Sequence, residues 1–377
     1  MSGASASGGT LSFAHIGDLH IADARRQNFR DFLSILAQIE TEAAPQLDFV
    51  VLPGDCADNG RPDQYALIAT ALRMLTPPVH AIPGDHDMEQ GSLDNFYAGL
   101  GVPRLPSRQS LHGHRCLFLD FCGGGGGGPD FRLGSSQLGW LRDQLAEADR
   151  AGETALLFMH SYPADLRGDG EAEALNGLLA RRRVALVDMG HTHYNELAND
   201  GATIYAATRS TGQIEEGPVG YSLTTVDRGI VSWRFKALDD PFPFVMITAP
   251  ADHRLARGAA QRVNGGFQVR ARIFGAAAIA RAECRVDSDA WTPMARAGDG
   301  PDWTAAIASS PEALFELTVR AFAEDGRPAA HSIRVAGRGF DLPKREAAGS
   351  DAASIGAWPE NGISGAQLGP NRNGRKW

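Results

Sequence analysis

The chain contains the stretch Ile82-Pro83-Gly84-Asp85-His86-Asp87. An apolar run at residues 79–82 leads into it, a Pro-Gly pair ends the run, and three ionisable side chains follow at once. A buried parallel strand that delivers polar side chains at its carboxyl end has this pattern. The stretch therefore predicts a strand that ends in side chains suited to catalysis or metal binding.

The same pattern recurs at four other places along the chain. In each, an apolar run of strand length is followed within a few residues by aspartate or histidine. These residues are Asp18 and His20 after 13–16, Asp55 after 49–52, His160 after 156–159, and His191 and His193 after 184–189. Carboxyl ends of parallel strands meet at one edge of a sheet, so we expect these side chains to form one constellation.

Helical segments alternate with these strands over the first 240 residues. Residues 25–41 carry apolar side chains on one face of a helix, and residues 62–75 begin with a proline suited to a first helical turn. Further helices are predicted at 135–148 and 171–180, and strands at 203–207 and 221–225 are expected in a second sheet. This alternation predicts an α/β fold with a largely parallel sheet and helices on its faces.

The composition changes near Asp239-Asp240-Pro241, where helical periodicity gives way to period-two alternation. Short alternating runs separated by turn residues predict a small Ig-like β-sandwich at 241–340. We therefore predict a disordered start at 1–10, an α/β catalytic domain at 11–240, the sandwich, and an extended tail at 341–377.

The predicted tail is rich in Gly, Pro, Asn and Ala but carries apolar residues, which are Trp358, Ile363, Leu368 and Trp377. A plain linker would not need them, so we expect part of the tail to lie in a groove of the body, with disorder as the alternative. Three roles stay open for the sandwich, which are shaping the substrate mouth, mediating dimerisation and covering an exposed face. A homodimer would form through the sandwich or through the tail.

Composition excludes several classes of protein. The 377 residues are 43% hydrophobic and 21% charged, which is ordinary for a globular protein, and the net charge of −9 disfavours a nucleic-acid or membrane surface. The four cysteines show no CxxC spacing, which favours a reducing compartment. With no visible signal peptide and no apolar run of membrane-spanning length, the sequence predicts a cytoplasmic protein.

The aspartates and histidines of the constellation indicate metal binding. A mixed Asp/His set suits Mn, Fe or Zn better than Ca or a structural all-cysteine zinc site. Asp18 and His20 share one side of a strand end, as do His191 and His193, while Asp55 comes from a third strand end and is placed to bridge two ions. One ion does not need so many ligands. The set therefore predicts a two-metal site, which can hold a bridging hydroxide and clamp the oxygens of a phosphoryl displacement.

Five ordered motifs now point to a family. They are Asp18-x-His20, Gly54-Asp55, Gly84-Asp85-His86-Asp87, His160 and Gly190-His191-x-His193. In this order they resemble the motifs of the calcineurin-like metallophosphoesterases. The segment Gly54-Asp55-Cys56-Ala57-Asp58-Asn59-Gly60 looks most like the bacterial cyclic-nucleotide and glycerophosphodiester phosphodiesterase branch. The resemblance covers about residues 11–235 and implies a four-layer α/β/β/α fold with the site at the strand ends.

The resemblance also implies a role for each residue. Asp18, His20, Asp55 and His193 would hold the first metal, and Asp55, Asp85, His160 and His191 the second. His86 would face the leaving oxygen and either protonate it or stabilise its charge, and Asp58 would orient this histidine. The family usually has Asn where this chain has Asp85, so the second ion meets an added negative charge that weakens it as a Lewis acid.

The leading functional prediction is dinuclear, metal-dependent hydrolysis of small-molecule phosphodiesters of the nucleotide or glycerophosphodiester type by a metal-bridging hydroxide. A phosphomonoesterase or protein phosphatase is the nearest alternative, although Asn59 stands where protein phosphatases of this type carry arginine. From another class, a binding scaffold that keeps the fold with little turnover stays open because of Asp85. The net charge of −9 disfavours a nuclease, which would need a basic surface to bind the nucleic-acid backbone.

Overall fold

A computed structural model describes residues 9–298, 300–342 and 353–365. Residues 1–8 of the predicted disordered start lie outside the described residues, as do the tail segments 343–352 and 366–377 with Leu368 and Trp377. Within the described residues, an α/β unit comes first and an all-β unit follows. No helix among the described residues combines the length and apolar character that crossing a membrane requires.

The α/β unit contains five α-helices and eleven strands among the described residues. The helices are α1 (Gln27–Gln38), α2 (Pro62–Leu72), α3 (Asp94–Leu100), α4 (Gly134–Ala151) and α5 (Glu171–Arg181). The strands are β1 (Thr10–His15), β2 (Phe49–Leu52), β3 (Val79–Ala81), β4 (Ser107–Leu111), β5 (His114–Phe118), β6 (Thr154–Phe158), β7 (Val184–Met189), β8 (Glu196–Asn199), β9 (Ile204–Ala207), β10 (Gly220–Asp227) and β11 (Ile230–Ala237).

These strands form two sheets. The first has the order β11-β10-β1-β2-β3 and the second β4-β5-β6-β7-β9-β8. β1, β2 and β3 are parallel to one another, as are β5, β6, β7 and β9. β9 joins the second sheet as predicted, but β10 does not. It pairs antiparallel with β1 in the first sheet, because its partner is a strand some two hundred residues away that no local pattern reveals.

The two sheets pack face to face and helices cover their outer faces. Successive side chains of a strand point to opposite faces, and β2 shows the result. Phe49 and Val51 join the apolar cluster between the sheets, whereas Val50 and Leu52 pack with the helices. In the inter-sheet core, Phe49 stacks on Phe13 with ring centroids 5.1 Å apart and contacts Phe158 edge-on at 5.8 Å. The predicted α/β/β/α arrangement is confirmed.

The all-β unit is one seven-stranded sheet system with the order β12-β13-β16-β15-β14-β17-β18. Its strands are β12 (Phe244–Ala249), β13 (Phe267–Phe274), β14 (Ile279–Val286), β15 (Thr292–Arg296), β16 (Asp302–Ile307), β17 (Leu314–Ala323) and β18 (Pro328–Ala336). Alternate side chains such as Val269, Leu317 and Val335 form its separate core.

The described part of the tail, residues 353–365, forms what we call the C-terminal strap. The main-chain N–H of Ile355 donates to the carbonyl of Leu197, and Ser354 forms a bridge with Ala198, so the strap runs beside β8. Trp358 and Ile363 are only 4% and 0% exposed. The strap therefore lies in a groove of the body, which accounts for these two apolar residues in an otherwise linker-like sequence.

Candidate metal centre

The seven predicted ligands all lie where strands end. Asp18 and His20 follow β1, Asp55 follows β2, Asp85 follows β3, His160 follows β6, and His191 and His193 follow β7. The structure brings them into two buried clusters, one of Asp18, His20, Asp55 and His193 and the other of Asp55, Asp85, His160 and His191. Within each cluster the potential ligand atoms lie within 4.8 Å of one another, and Asp55 belongs to both.

The first cluster has the features of a cation site. The Nε2 atoms of His20 and His193 face each other at 3.1 Å, and Asp55 Oδ2 lies 3.7 Å from His20 Nε2. Burial lowers the pKa of both imidazoles to about 4, so near pH 7 they are in the neutral form that binds metals. Asp18 Oδ2 is buried and finds no hydrogen-bond partner among the described residues. A cation would satisfy this oxygen and both nitrogens.

In the second cluster, Asp85 lies between two histidines. Its Oδ1 is 3.1 Å from His160 Nε2 and 3.3 Å from His191 Nδ1, while Asp55 Oδ1 is 3.5 Å from the same His160 nitrogen. The carbonyl of Pro53 can only accept, so His160 Nδ1 donates to it at 2.8 Å, and this bond turns Nε2 toward the carboxylates.

Both carboxylates of the second cluster are ionised near neutral pH. Burial acts to raise the pKa of Asp85, but hydrogen bonds with His160 and His191 outweigh it and hold that pKa well below its usual value. Burial and the neighbouring Asp85 also act to raise the pKa of Asp55, yet His160 and His20 bring it to about 2. The cluster therefore offers charged oxygens to a cation.

Glycines allow the ligands to approach one another. A Cβ on Gly54 would lie 2.1 Å from His160 Nδ1, and one on Gly84 would lie 2.1 Å from Asp55 Oδ1. The main chain is also strained in this region, because four of the ligands adopt positive φ values that side chains rarely take. These are His20 (43°), Asp55 (48°), His191 (65°) and His193 (64°). Such strain concentrates at functional sites.

His86 lies beside the first cluster with its ring 4.6 Å from that of His20. Its Nδ1 donates to the main-chain carbonyl of Asp58 at 2.7 Å and lies 3.2 Å from Glu89 Oε1. Asp58 thus contacts the histidine through its main chain rather than its carboxylate, and Glu89 is a partner that the sequence analysis missed. Burial acts to lower the pKa of His86, but Asp55 and the Asp58 carbonyl outweigh it and raise that pKa. Within the described part of the chain Nε2 makes no such contact, so it is the ring nitrogen available to a substrate.

Asp87 is a second residue to which the sequence analysis gave no role. It is fully buried and accepts N–H groups from Cys56, Ala57 and Gly84 and the hydroxyl of Tyr65. It therefore fixes the loop after β2 to the loop after β3, the two loops that carry Asp55 and Asp85. Burial raises its pKa to about 6. Its position beside His86 in the opening stretch was the available signal.

Comparison with known proteins agrees with this geometry. A family model described as calcineurin-like phosphoesterase matches residues 11–195. A Fibrobacter succinogenes protein named "Probable cyclic nucleotide phosphodiesterase" is 30% identical over 233 residues, covering 57% of this chain and 86% of the relative. The glycerophosphodiester phosphodiesterase GpdQ of Enterobacter lignolyticus is 29% identical over 208 residues, covering 48% of this chain and 71% of the relative. A solved dimetal phosphatase from Danio rerio shares the fold, with a TM-score of 0.50 at 16% identity over 61% of this chain and 97% of that one.

A two-layered sheet core with acids and histidines at its strand ends defines a metal-binding hydrolase architecture. The chain belongs to the calcineurin-like phosphoesterase family, and it is a phosphoric ester hydrolase.

Proposed function

We propose that this chain is a dinuclear metal-dependent phosphodiesterase that acts on small molecules of the nucleotide or glycerophosphodiester type. The observation that carries the proposal is the pair of buried ligand clusters joined by Asp55. The names of the relatives from Fibrobacter and Enterobacter support the substrate class. The donor set of carboxylates and imidazoles supports Mn, Fe or Zn as the metals.

Two divalent ions, when bound, supply an activated water and Lewis-acid stabilisation of the phosphoryl oxygens. The chain supplies the rest. Asp18, His20 and His193 would hold one ion, Asp85, His160 and His191 the other, and Asp55 would contact both. Because Asp58 and Glu89 hold Nδ1 of His86, its Nε2 can give a proton to the leaving oxygen. Burial of the clusters excludes bulk water and strengthens these interactions.

Asp85 supports a diester rather than a monoester substrate. The seven ligands include three carboxylates, whereas the family's usual Asn at this position leaves two. Two divalent ions held by three carboxylates keep a smaller net positive charge. A phosphomonoester carries about −1.5 to −2 near pH 7 and a diester only −1, so the loss of positive charge penalises the monoester more. This charge balance disfavours the phosphomonoesterase and protein phosphatase alternatives.

The cysteines and the net charge support a cytoplasmic enzyme that acts on small molecules. All four cysteines are buried and free, which supports a reducing compartment. The net charge of −9 continues to disfavour nucleic acid and membrane partners. A homodimer through the sandwich or the tail stays a prediction.

To test the proposal, the protein is loaded with Mn, Fe or Zn, its metal content is measured, and its hydrolysis of two model esters is compared. We expect bis-p-nitrophenyl phosphate to be cleaved with a kcat/KM at least 10-fold above that for p-nitrophenyl phosphate. Preference for the monoester would favour the phosphatase alternative. No hydrolysis of either ester with any of the three metals bound would favour the binding scaffold.

A further inference from the structure

The C-terminal strap contacts the segment 209–213, and this segment contacts the first metal cluster. The carbonyl oxygen of Gly362 accepts two hydrogen bonds, one from Asn195 Nδ2 at 2.8 Å and one from Arg209 Nη2 at 2.7 Å. Asn195 Oδ1 in turn accepts the main-chain N–H of Arg209 at 2.8 Å. One strap carbonyl thus joins the chain just beyond His193 to the start of the segment 209–213.

The segment 209–213 touches each ligand that belongs to the first cluster alone. Ser210 N–H donates to the carbonyl of His193 at 3.2 Å, and Ser210 Oγ donates to the carbonyl of Asp18 at 2.8 Å. Gly212 N–H donates to the same Asp18 carbonyl at 3.0 Å. The side chain of Gln213 reaches His20, with Nε2 3.4 Å from Nδ1.

The second cluster is supported by other contacts. His160 Nδ1 is held by the carbonyl of Pro53, and the Phe131 ring packs edge-on against His191 with centroids 4.9 Å apart. Asp85 precedes the turn that Asp87 fixes to the loop after β2. These contacts involve neither the strap nor the segment 209–213. The two clusters meet at Asp55 and where the main-chain N–H of His191 donates to Asp18 Oδ1 at 2.9 Å. We therefore expect the strap to affect the first cluster more strongly than the second.

We propose that the C-terminal strap is a positioning element for the first metal, acting through the Gly362 carbonyl. The inference rests on the proposed two-metal function. Displacing this carbonyl removes one hydrogen bond from Asn195 Nδ2 and one from Arg209 Nη2, while Arg209 Nη1 keeps its bonds to the carbonyls of Glu216 and Pro218. We expect the segment 209–213 to loosen and Asp18, His20 and His193 to move apart. Groups that orient metal ligands typically change metal affinity about 10- to 100-fold when they are lost. The ion held by Asp85, His160 and His191 keeps its affinity.

The strap contains a matched pair of glycines for the test. Gly356 and Gly362 both have positive φ, 76° and 86°. A Cβ on Gly362 would lie 2.5 Å from Phe235 Cβ, whereas a Cβ on Gly356 meets no atom within 4 Å. Gly362→Ala and Gly356→Ala therefore impose similar backbone strain, but only Gly362→Ala pushes the strap carbonyl out of place.

The experiment measures Mn²⁺ binding to the full metal-free chain by equilibrium dialysis with elemental analysis. In a His160→Ala background, which leaves the first cluster, we expect Gly362→Ala to weaken Mn²⁺ binding at least 10-fold and Gly356→Ala less than 3-fold. In a His193→Ala background, which leaves the second cluster, neither should change affinity by more than 3-fold. Asn195→Ala adds no volume and removes both the Nδ2 bond to the Gly362 carbonyl and the Oδ1 bond to Arg209 N–H. It should reproduce the loss if Gly362→Ala does not fold.

Each result has a distinct meaning. If Gly362→Ala and Asn195→Ala bind the first ion as tightly as Gly356→Ala does, the strap has no positioning role and the two-metal function stands. If both backgrounds lose affinity equally, the strap supports the whole fold and the selective role is wrong. If the unaltered chain binds fewer than two ions, the proposed function fails together with this inference.

Discussion

Replacing Asp85 with Asn restores the residue that the family usually has and removes one negative charge from the second cluster. Asp85 is only 8% exposed, and its Oδ1 lies 3.1 Å from His160 Nε2 and 3.3 Å from His191 Nδ1. The ligand atoms of this cluster lie within 4.8 Å of one another, so a cation among them is close to this carboxylate. The amide introduced by Asp85→Asn keeps one oxygen for the cation but not the charge.

The size of the effect follows from Coulomb's law. A unit charge about 4 Å from a divalent ion, at an effective dielectric constant of about 20, contributes about 8 kcal/mol. The retained amide oxygen and the rearrangement of water offset most of this. We expect a net loss of about 2–3 kcal/mol, or ~30- to 150-fold in the affinity for the second ion. Turnover at saturating metal should rise, because a less neutralised ion is a stronger Lewis acid.

Substrate preference should change in the same variant. The monoester has up to one more negative charge than the diester, so it gains more from the restored positive charge. Water screens this interaction, so we expect the transition state of the monoester to be stabilised by about 1 kcal/mol more than that of the diester. This difference shifts the ratio of kcat/KM values about 5-fold toward p-nitrophenyl phosphate. Both esters are assayed with the same Mn²⁺-saturated preparations.

Mn²⁺ titration of the metal-free proteins measures the affinity directly. Asp58→Asn is the matched control, because it removes the same charge from a residue that contacts His86 through its main chain. If Asp85→Asn binds the second ion within 3-fold of the unaltered chain, Asp85 only orients a histidine and the reasoning is refuted. An equal loss in Asp58→Asn would show that the effect is general electrostatics rather than ligation.

Two further predictions concern histidines. The His86→Ala variant should keep its metal content and lower kcat by about 10²- to 10⁴-fold, because a proton donor to the leaving group is lost. Elemental analysis measures the metal content and steady-state kinetics measure kcat. Unchanged turnover would contradict the role of His86. His331 is buried in β18, where its Nδ1 accepts the N–H of Ile247, and burial together with Arg234 lowers its pKa well below the usual value. Folding therefore opposes its protonation, and the free energy of unfolding should fall by up to about 1.4 kcal/mol per pH unit as the pH decreases below 6.5. His331→Asn keeps an acceptor and should reduce this slope by the same amount in urea titrations at pH 5 and 6; an unchanged slope would show that His331 does not titrate in this range.

Local patterns were sufficient for much of this molecule. Each predicted ligand follows an apolar run within a few residues, and a strand end is a feature of a few consecutive residues. The helices are similarly local, although α1 ends at Gln38 and the predicted helix extends to residue 41. The reason is a single π-helical turn, Ile39–Ala43, that continues the apolar face while changing the hydrogen bonding.

Contacts made by the main chain and by distant segments could not be predicted. The sequence suggests Asp58 as a carboxylate partner of His86, but it is the Asp58 carbonyl that makes the contact, and every residue has a carbonyl. The partnership of β10 with β1 and that of Gly362 with Asn195 each join positions more than a hundred and fifty residues apart. Such pairs are decided by the packing of the whole chain.

The candidate metal centre takes its side chains from both sheets, which are also joined by packing and by hydrogen bonds such as that between His15 Nδ1 and Asp188 Oδ1 at 2.6 Å. All three carboxylates follow strands of the first sheet, and three of the four histidines follow strands of the second. A cation bound to both sets joins the two layers, and an ion that binds only the folded chain adds about 2.7 kcal/mol to its stability at 100 times its dissociation constant. When metal is scarce, the protein should therefore lose stability as well as activity. The amount of folded protein in the cell would then depend on the concentration of available metal.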